Sequence, residues 1–152
     1  MKMGIIKTKY LGEVDVKTSD IFRFKSGLPG FGEETEFVML DLPGDSAFQI
    51  MQSFNTPHLA FIVTNPHLLY QDYEFELDAS IAEQLEIEHE ADVAVVVIVT
   101  LKDALEQSTI NLKGPIILNT KARTGKQYIL QDETYPVKAP LTPPVQPGVK
   151  GD

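Results

Sequence analysis

Short apolar segments recur along this chain at strand length, each closed by a turn signal, and only one stretch carries the marks of an α-helix. Parallel neighbours in a sheet need a crossover of a dozen or more residues, usually a helix. One helix cannot connect about nine strands in that way. The pattern therefore predicts an all-β fold built from antiparallel strands. Closing it into a small β-barrel, complete or not, would remove exposed edges; a sandwich is the other arrangement open to it.

Residues 8–10 and Glu13–Lys17 flank Leu11-Gly12 as a hairpin, and Glu36–Asp41 alternates before the turn Leu42-Pro43-Gly44-Asp45. Residues 47–54 set Phe48, Ile50 and Phe54 on one face, and residues 59–64 end at Asn65-Pro66. The run D-V-A-V-V-V-I-V-T-L at 92–101 is apolar and dense in β-branched residues. It predicts a strand buried on both faces, with Val95, Val97 and Val99 in the core. Strands at 110–113, 116–120 and 126–131 complete the set, with Thr124-Gly125 turning the last hairpin. Ser80-Ile81-Ala82-Glu83 has the capping-box pattern of a helix start, which sets Ile81 and Leu85 on one inner face. A second short turn is expected at Thr18-Ser19-Asp20. The 152 residues suit one domain, expected over 1–135. Five prolines fall in residues 136–152, and that segment is expected to be a disordered tail outside the core.

Charge is distributed unevenly. All 13 Lys and Arg lie in residues 2–25 or 102–150, and the 76 residues between hold none but carry 14 Asp and Glu. Direct nucleic-acid binding is disfavoured, because it begins by neutralising phosphates with cations. An acidic face toward a basic partner accounts for the exclusion of cations better than solubility alone. No apolar run is long enough to span a membrane, and the opening M-K-M-G-I-I-K-T-K-Y does not have the apolar core of a signal peptide. A cytoplasmic location is expected. Cysteine is absent, so thiol chemistry is excluded.

Nothing in the chain assembles a catalytic signature. His58, His67 and His89 do not have the spacing of a metal site, and no Ser sits in a G-x-S-x-G pattern. Asn119 and Gln127 flank the last hairpin and could line a polar site or satisfy backbone groups. No enzyme activity, cofactor or metal is expected.

Two stretches carry the candidate binding residues. The first is G-L-P-G-F-G at 27–32, followed by Glu33, Glu34 and Glu36. A phosphate there would meet three carboxylates and no cation, so a phosphate loop is disfavoured. Pro29-Gly30 is instead what a tight turn asks for. Phe31 then either stands exposed beside the three acids, near a partner groove, or is buried in a structural turn. The second stretch, D-Y-E-F-E-L-D at 72–78, alternates cleanly. As a strand it would turn Tyr73, Phe75 and Leu77 inward and Asp72, Glu74, Glu76 and Asp78 outward. Four like charges on one face mark either a partner surface or a solvated face whose acids pair with cations brought in by the fold.

The blocks G-L-P-G-F at 27–31 with E-x-x-x-F at 33–37, T-N-P at 64–66, Y-E-F-E-L at 73–77, D-V-A-V-V-V-I-V-T at 92–100 and N-L-K-G-P-I-I-L-N at 111–119 together resemble the flagellar assembly factor FliW family. The resemblance covers roughly residues 4–131, with mild departures at Gly32 and Gly114. It implies a non-enzymatic cytoplasmic regulator with a β-barrel-like fold, expected to be a monomer when unbound. It implies two alternative partners: flagellin before export, and the translational repressor CsrA, a small RNA-binding dimer. Freed by flagellin export, such a protein takes CsrA off messenger RNA. A different class of function, a small β-barrel enzyme or ligand carrier with an acidic cavity, would require converging, desolvated carboxylates in a deep pocket.

Overall fold

The computed structural model describes residues 3–44 and 47–141. Among them are eleven strands: β1 (Met3–Lys7), β2 (Glu13–Lys17), β3 (Ile21–Arg23), β4 (Glu36–Asp41), β5 (Phe48–Ser53), β6 (Ala60–Thr64), β7 (Val93–Thr100), β8 (Thr109–Ile110), β9 (Ile116–Asn119), β10 (Thr124–Gln127) and β11 (Ala139–Pro140). The helix α1 spans Ala79–Gln84. No described helix is long and apolar enough to cross a membrane.

Seven strands close into a barrel in the order β7-β6-β5-β4-β3-β10-β9, with β9 returning to β7 through the register Val93↔Asn119 to Val96↔Ile116. The pairings are antiparallel except at one seam, where β3 meets β10 in parallel through Thr124↔Arg23. That seam is short and is reinforced by Arg123. The Arg23 amide donates to the Arg123 carbonyl at 2.9 Å, and the Arg123 guanidinium lies 3.9 Å from the Phe22 ring centroid.

At β7 both faces of the barrel wall are covered, which explains the unbroken apolar run there. Val96 joins Phe22, Phe24, Leu28, Phe37, Met51, Val63, Ile116 and Leu118 in the interior, with Ala94 and Ile98 against the same cluster. The alternate residues face the other way. Val97 and Val99 pack with Tyr73, Ile110, Leu112 and Leu130, while Val93 and Val95 meet Ile81 of α1 and Leu85 just after it. Val97 and Val99 are buried as expected, but Val95 is only half-buried beneath the helix. The hairpin β1–β2 likewise covers the outer face of β4, setting Ile6 and Val16 against Val38.

Several local expectations are corrected. The first hairpin strand is Met3–Lys7, and residues 8–12 form its turn, with the Thr8 hydroxyl donating to the Gly12 carbonyl at 2.7 Å. In the last hairpin Thr124 and Gly125 lie in β10 and the turn precedes them. Asn119 Oδ1 accepts from the amides of Lys121 and Ala122, and Arg123 takes φ 60°. Gly125 serves packing: a Cβ there would lie 2.6 Å from the Phe24 ring. Helix α1 starts after Asp78 with no side-chain cap, so the capping box at Ser80 does not form, although Ile81 and Leu85 are buried on one face.

Residues 72–78 form no ladder with any strand; they cross the outer wall as an extended strap that keeps the expected in–out alternation. The ordered chain also continues past Tyr135. β11 pairs with β8, Ala139 and Leu141 are buried, and the Leu141 amide donates to the Ser108 carbonyl at 2.9 Å. Proline density misleads there because Pro140 sits in a two-residue edge strand, where its missing donor is tolerated. Residues 142–152 lie outside the described residues.

Candidate functional site

The strap is fixed by side chains rather than by a sheet ladder. Tyr73 is only 2% exposed, and its hydroxyl donates to the Leu112 carbonyl at 2.6 Å. Burial pushes this phenol well above its ordinary pKa. His67 Nε2 sits 2.7 Å from the Tyr73 carbonyl, and the Glu74 amide donates to the Tyr135 hydroxyl at 3.1 Å. With the odd-numbered side chains held inward, Asp72, Glu74, Glu76 and Asp78 are all exposed.

No Lys or Arg among the described residues forms an ion pair with this ladder. Among the described residues the ion pairs are Lys113–Glu133 at 3.0 Å and Lys121–Glu88 at 3.8 Å, and neither involves the strap. Beside the strap lies an open groove of about 510 Å³. Its floor is apolar, from Phe75, Leu77, Ile87, Val93, Val95 and Ile117, and Glu74, Glu88 and Glu90 stand around it with His67 and His89. Sequence reading missed Glu88 and Glu90. The run E-I-E-H-E at 86–90 was the available signal, but its alternation is too short to place without knowing that the helix ends at Gln84.

The second candidate stretch forms the expected tight turn. Gly30 takes φ 85°, the Phe31 amide donates to the Leu28 carbonyl at 2.7 Å, and Leu28 is buried in the barrel interior. Phe31 combines its two expected readings. Its ring meets Phe61 edge-to-face at 5.7 Å, yet the residue stays 41% exposed. Glu33 is exposed, whereas the other two acids brace the neighbouring loop. Glu34 accepts from the hydroxyls of Ser53 and Thr56 at 2.6 Å each, and these bonds hold its carboxyl below the ordinary range. Glu36 accepts from Asn55 Nδ2 at 3.2 Å.

The two stretches do not converge on one site. Phe31 abuts Phe61, which packs against the barrel interior, while Tyr73 belongs to the cluster on the outer wall. Asn119 and Gln127 serve the backbone. Asn119 Nδ2 donates to the Leu85 and Glu86 carbonyls, and Gln127 Nε2 donates to the Gly114 carbonyl. Among the described residues no three His, Asp or Glu are grouped closely enough to hold a metal ion.

A barrel filled by its own side chains, with its acids displayed on the outer wall, defines a protein that offers surfaces to other molecules. Comparison with known proteins makes this specific: the profile of the family described as FliW protein matches residues 5–141, and the chain belongs to that family. It is 44% identical over 144 residues to the flagellar assembly factor FliW of Oceanobacillus iheyensis, covering 94% of this chain and 98% of that one. It is 46% identical over 137 residues to the flagellar assembly factor FliW of Bacillus subtilis, covering 90% and 96%. A crystal structure of the flagellar assembly factor FliW superposes with a TM-score of 0.88 at 43% identity, covering 94% of this chain and all of that one.

Proposed function

We propose that this protein is a cytoplasmic, non-enzymatic regulator of flagellar assembly that binds flagellin and, once flagellin is exported, binds and antagonises CsrA, relieving repression of flagellin translation. The observation that carries this reading is the acid ladder. Asp72, Glu74 and Glu76 stand exposed and free of ion pairs with described residues, in a stretch of sequence without cations, and Glu74 lines a groove with an apolar floor. An RNA-binding repressor presents cations, and a complementary acidic surface speeds encounter with it and disfavours RNA nearby. Phe31 and Glu33, exposed at the end of the barrel, are a second contact region on this reading.

The test is the association rate of CsrA with the parent protein and with the Glu74→Lys/Glu76→Lys variant, at low and at physiological salt. Both positions face solvent, so the variant is expected to keep its circular dichroism spectrum. Salt screens charges beyond about 8 Å at physiological strength, so the parent rate should fall as salt rises, and the variant should associate roughly tenfold more slowly at low salt. Flagellin added in excess should displace CsrA. A folded variant with the parent's rate and salt response would move the CsrA surface away from the strap. Failure of either partner to bind the parent protein would overturn the switch itself.

A further inference from the structure

The cations of this acidic chain are not scattered at the seam of the barrel. In β3 and the residue pair that follows it, Phe22 and Phe24 point into the interior, which turns Arg23 and Lys25 outward. In β10 the missing side chain of Gly125 faces Phe24, which turns Thr124 and Lys126 outward beside them. Arg23, Lys25 and Lys126 thus line one cleft of about 310 Å³, walled on its far side by Gln84, Leu85 and Glu86 at the end of α1. None of the three cations makes an ion pair with a described residue, although Asp and Glu outnumber Lys and Arg by 22 to 13. We infer that this cleft receives an acidic, amphipathic segment of a protein partner, at a surface separate from the acidic groove.

The backbone around the cleft argues against a small anion. The amides of Gly27, Leu28 and Phe31 already donate to the carbonyls of Phe24, Phe31 and Leu28, so these three are not free to cradle an anion. The Leu85 carbonyl at the helix end accepts from both Thr124 Oγ1 and Asn119 Nδ2 at 2.8 Å. Glu86 stands at the rim, and a compact polyanion would meet it, whereas spaced carboxylates avoid it. A second depression, lined by Ser26, Gly27, Pro29 and Gly30, shares Ser26, Gly27 and Lys126 with the cleft. The two adjoin through these shared residues as one trough, with Arg23, Lys25 and Lys126 along it to read carboxylates.

The experiment is a selection of phage-displayed random peptides of about twelve residues on the parent protein, followed by fluorescence anisotropy with the recovered sequences. Recovered peptides are expected to interleave Asp and Glu with Leu, Ile or Phe. Their binding should weaken about tenfold or more in the Arg23→Glu/Lys25→Glu/Lys126→Glu variant and fall with salt, while the Glu74→Lys/Glu76→Lys variant binds them like the parent. Should the triple variant lose its fold by circular dichroism, Lys25→Gln/Lys126→Gln takes its place, with a smaller loss of the same sign. Recovery of no peptides, recovery of basic ones, or unchanged binding in the cation variant would overturn the inference. So would saturable binding of inorganic phosphate alone at the Gly27 and Gly125 amides, followed by NMR, which would make the cleft a small-anion site.

Discussion

Replacing Gly27 with Ala tests whether the turn at 27–32 is held by close backbone approach. Gly27 has φ 67°, and a Cβ there would fall 2.5 Å from the Phe31 carbonyl oxygen and 2.7 Å from the Gly32 backbone. The left-handed conformation alone costs an L-residue about 1–2 kcal/mol. The overlap adds roughly 1–3 kcal/mol more, as for an overpacked core, because the atoms encountered are backbone and no rotamer change relieves them. Gly30 is the internal control. Its φ is 85°, but a Cβ there meets nothing within 4 Å, so Gly30→Ala should lose only the conformational part. Against a total of about 5–15 kcal/mol, the two substitutions should separate clearly in urea denaturation. In thermal scans, at about 2–4 °C per kcal/mol for a chain of this size, Gly27→Ala should fall by roughly 5–20 °C and Gly30→Ala by roughly 2–8 °C. Equal losses at the two positions would refute the reasoning, since only conformational strain, and not the packing of the turn onto itself, would then be at work.

Truncation after Tyr135 removes β11 with the buried Ala139 and Leu141, and also the Pro140 carbonyl that accepts from the Tyr70 hydroxyl at 2.6 Å. Burial of one leucine is worth about 1.5–3 kcal/mol, so the melting temperature should drop by roughly 5 °C or more, read by circular dichroism. Tyr73→Phe leaves the buried Leu112 carbonyl without its donor and should cost about 1–3 kcal/mol in urea at neutral pH. The folded pKa of Tyr73 lies above its ordinary value of 10.0, so its stabilisation is complete below pH 10 and lost as pH rises beyond it; Tyr73→Phe should flatten that alkaline decline.

The barrel was legible because strand-length apolar runs with a single helix leave few alternatives, and β4 was readable to the residue as Glu36–Asp41. The strap at 72–78 shows where such reading stops. Alternation reports that one side of an extended segment is buried, and Tyr73 and Glu74 obey it, but it does not report whether a neighbouring strand supplies hydrogen bonds. Here side chains outside the strap supply them: the Tyr135 hydroxyl accepts from the Glu74 amide, and His67 Nε2 meets the Tyr73 carbonyl. Gly125 was misread for a related reason. A glycine required by a turn and one required by the ring of Phe24 look alike until the partner, a hundred residues earlier in the chain, is in place. The groove at Glu74, Glu88 and Glu90 is tertiary in the same sense, since the end of α1 turns the second acidic run toward the first.

Closure of the barrel also explains what the uneven charge of the sequence becomes in space. Arg23 and Lys25 lie just before the cation-free stretch and Lys126 lies after it, so nothing in their spacing unites them. The one parallel seam does so, because β10 returns to β3 and sets the two flanks of the acidic segment side by side. The acidic segment, meanwhile, builds β4 to β7 with the strap between β6 and β7, and so carries Asp72, Glu74 and Glu76 to the outer wall, while Glu86 alone of its acids lines the cleft at the seam. Segregation along the chain thereby becomes segregation over the surface. A protein charged in this way orients approaching partners by its field as well as by contact, and its acidic groove and cationic cleft favour partners of opposite sign. The net charge of −9 conceals that polarity.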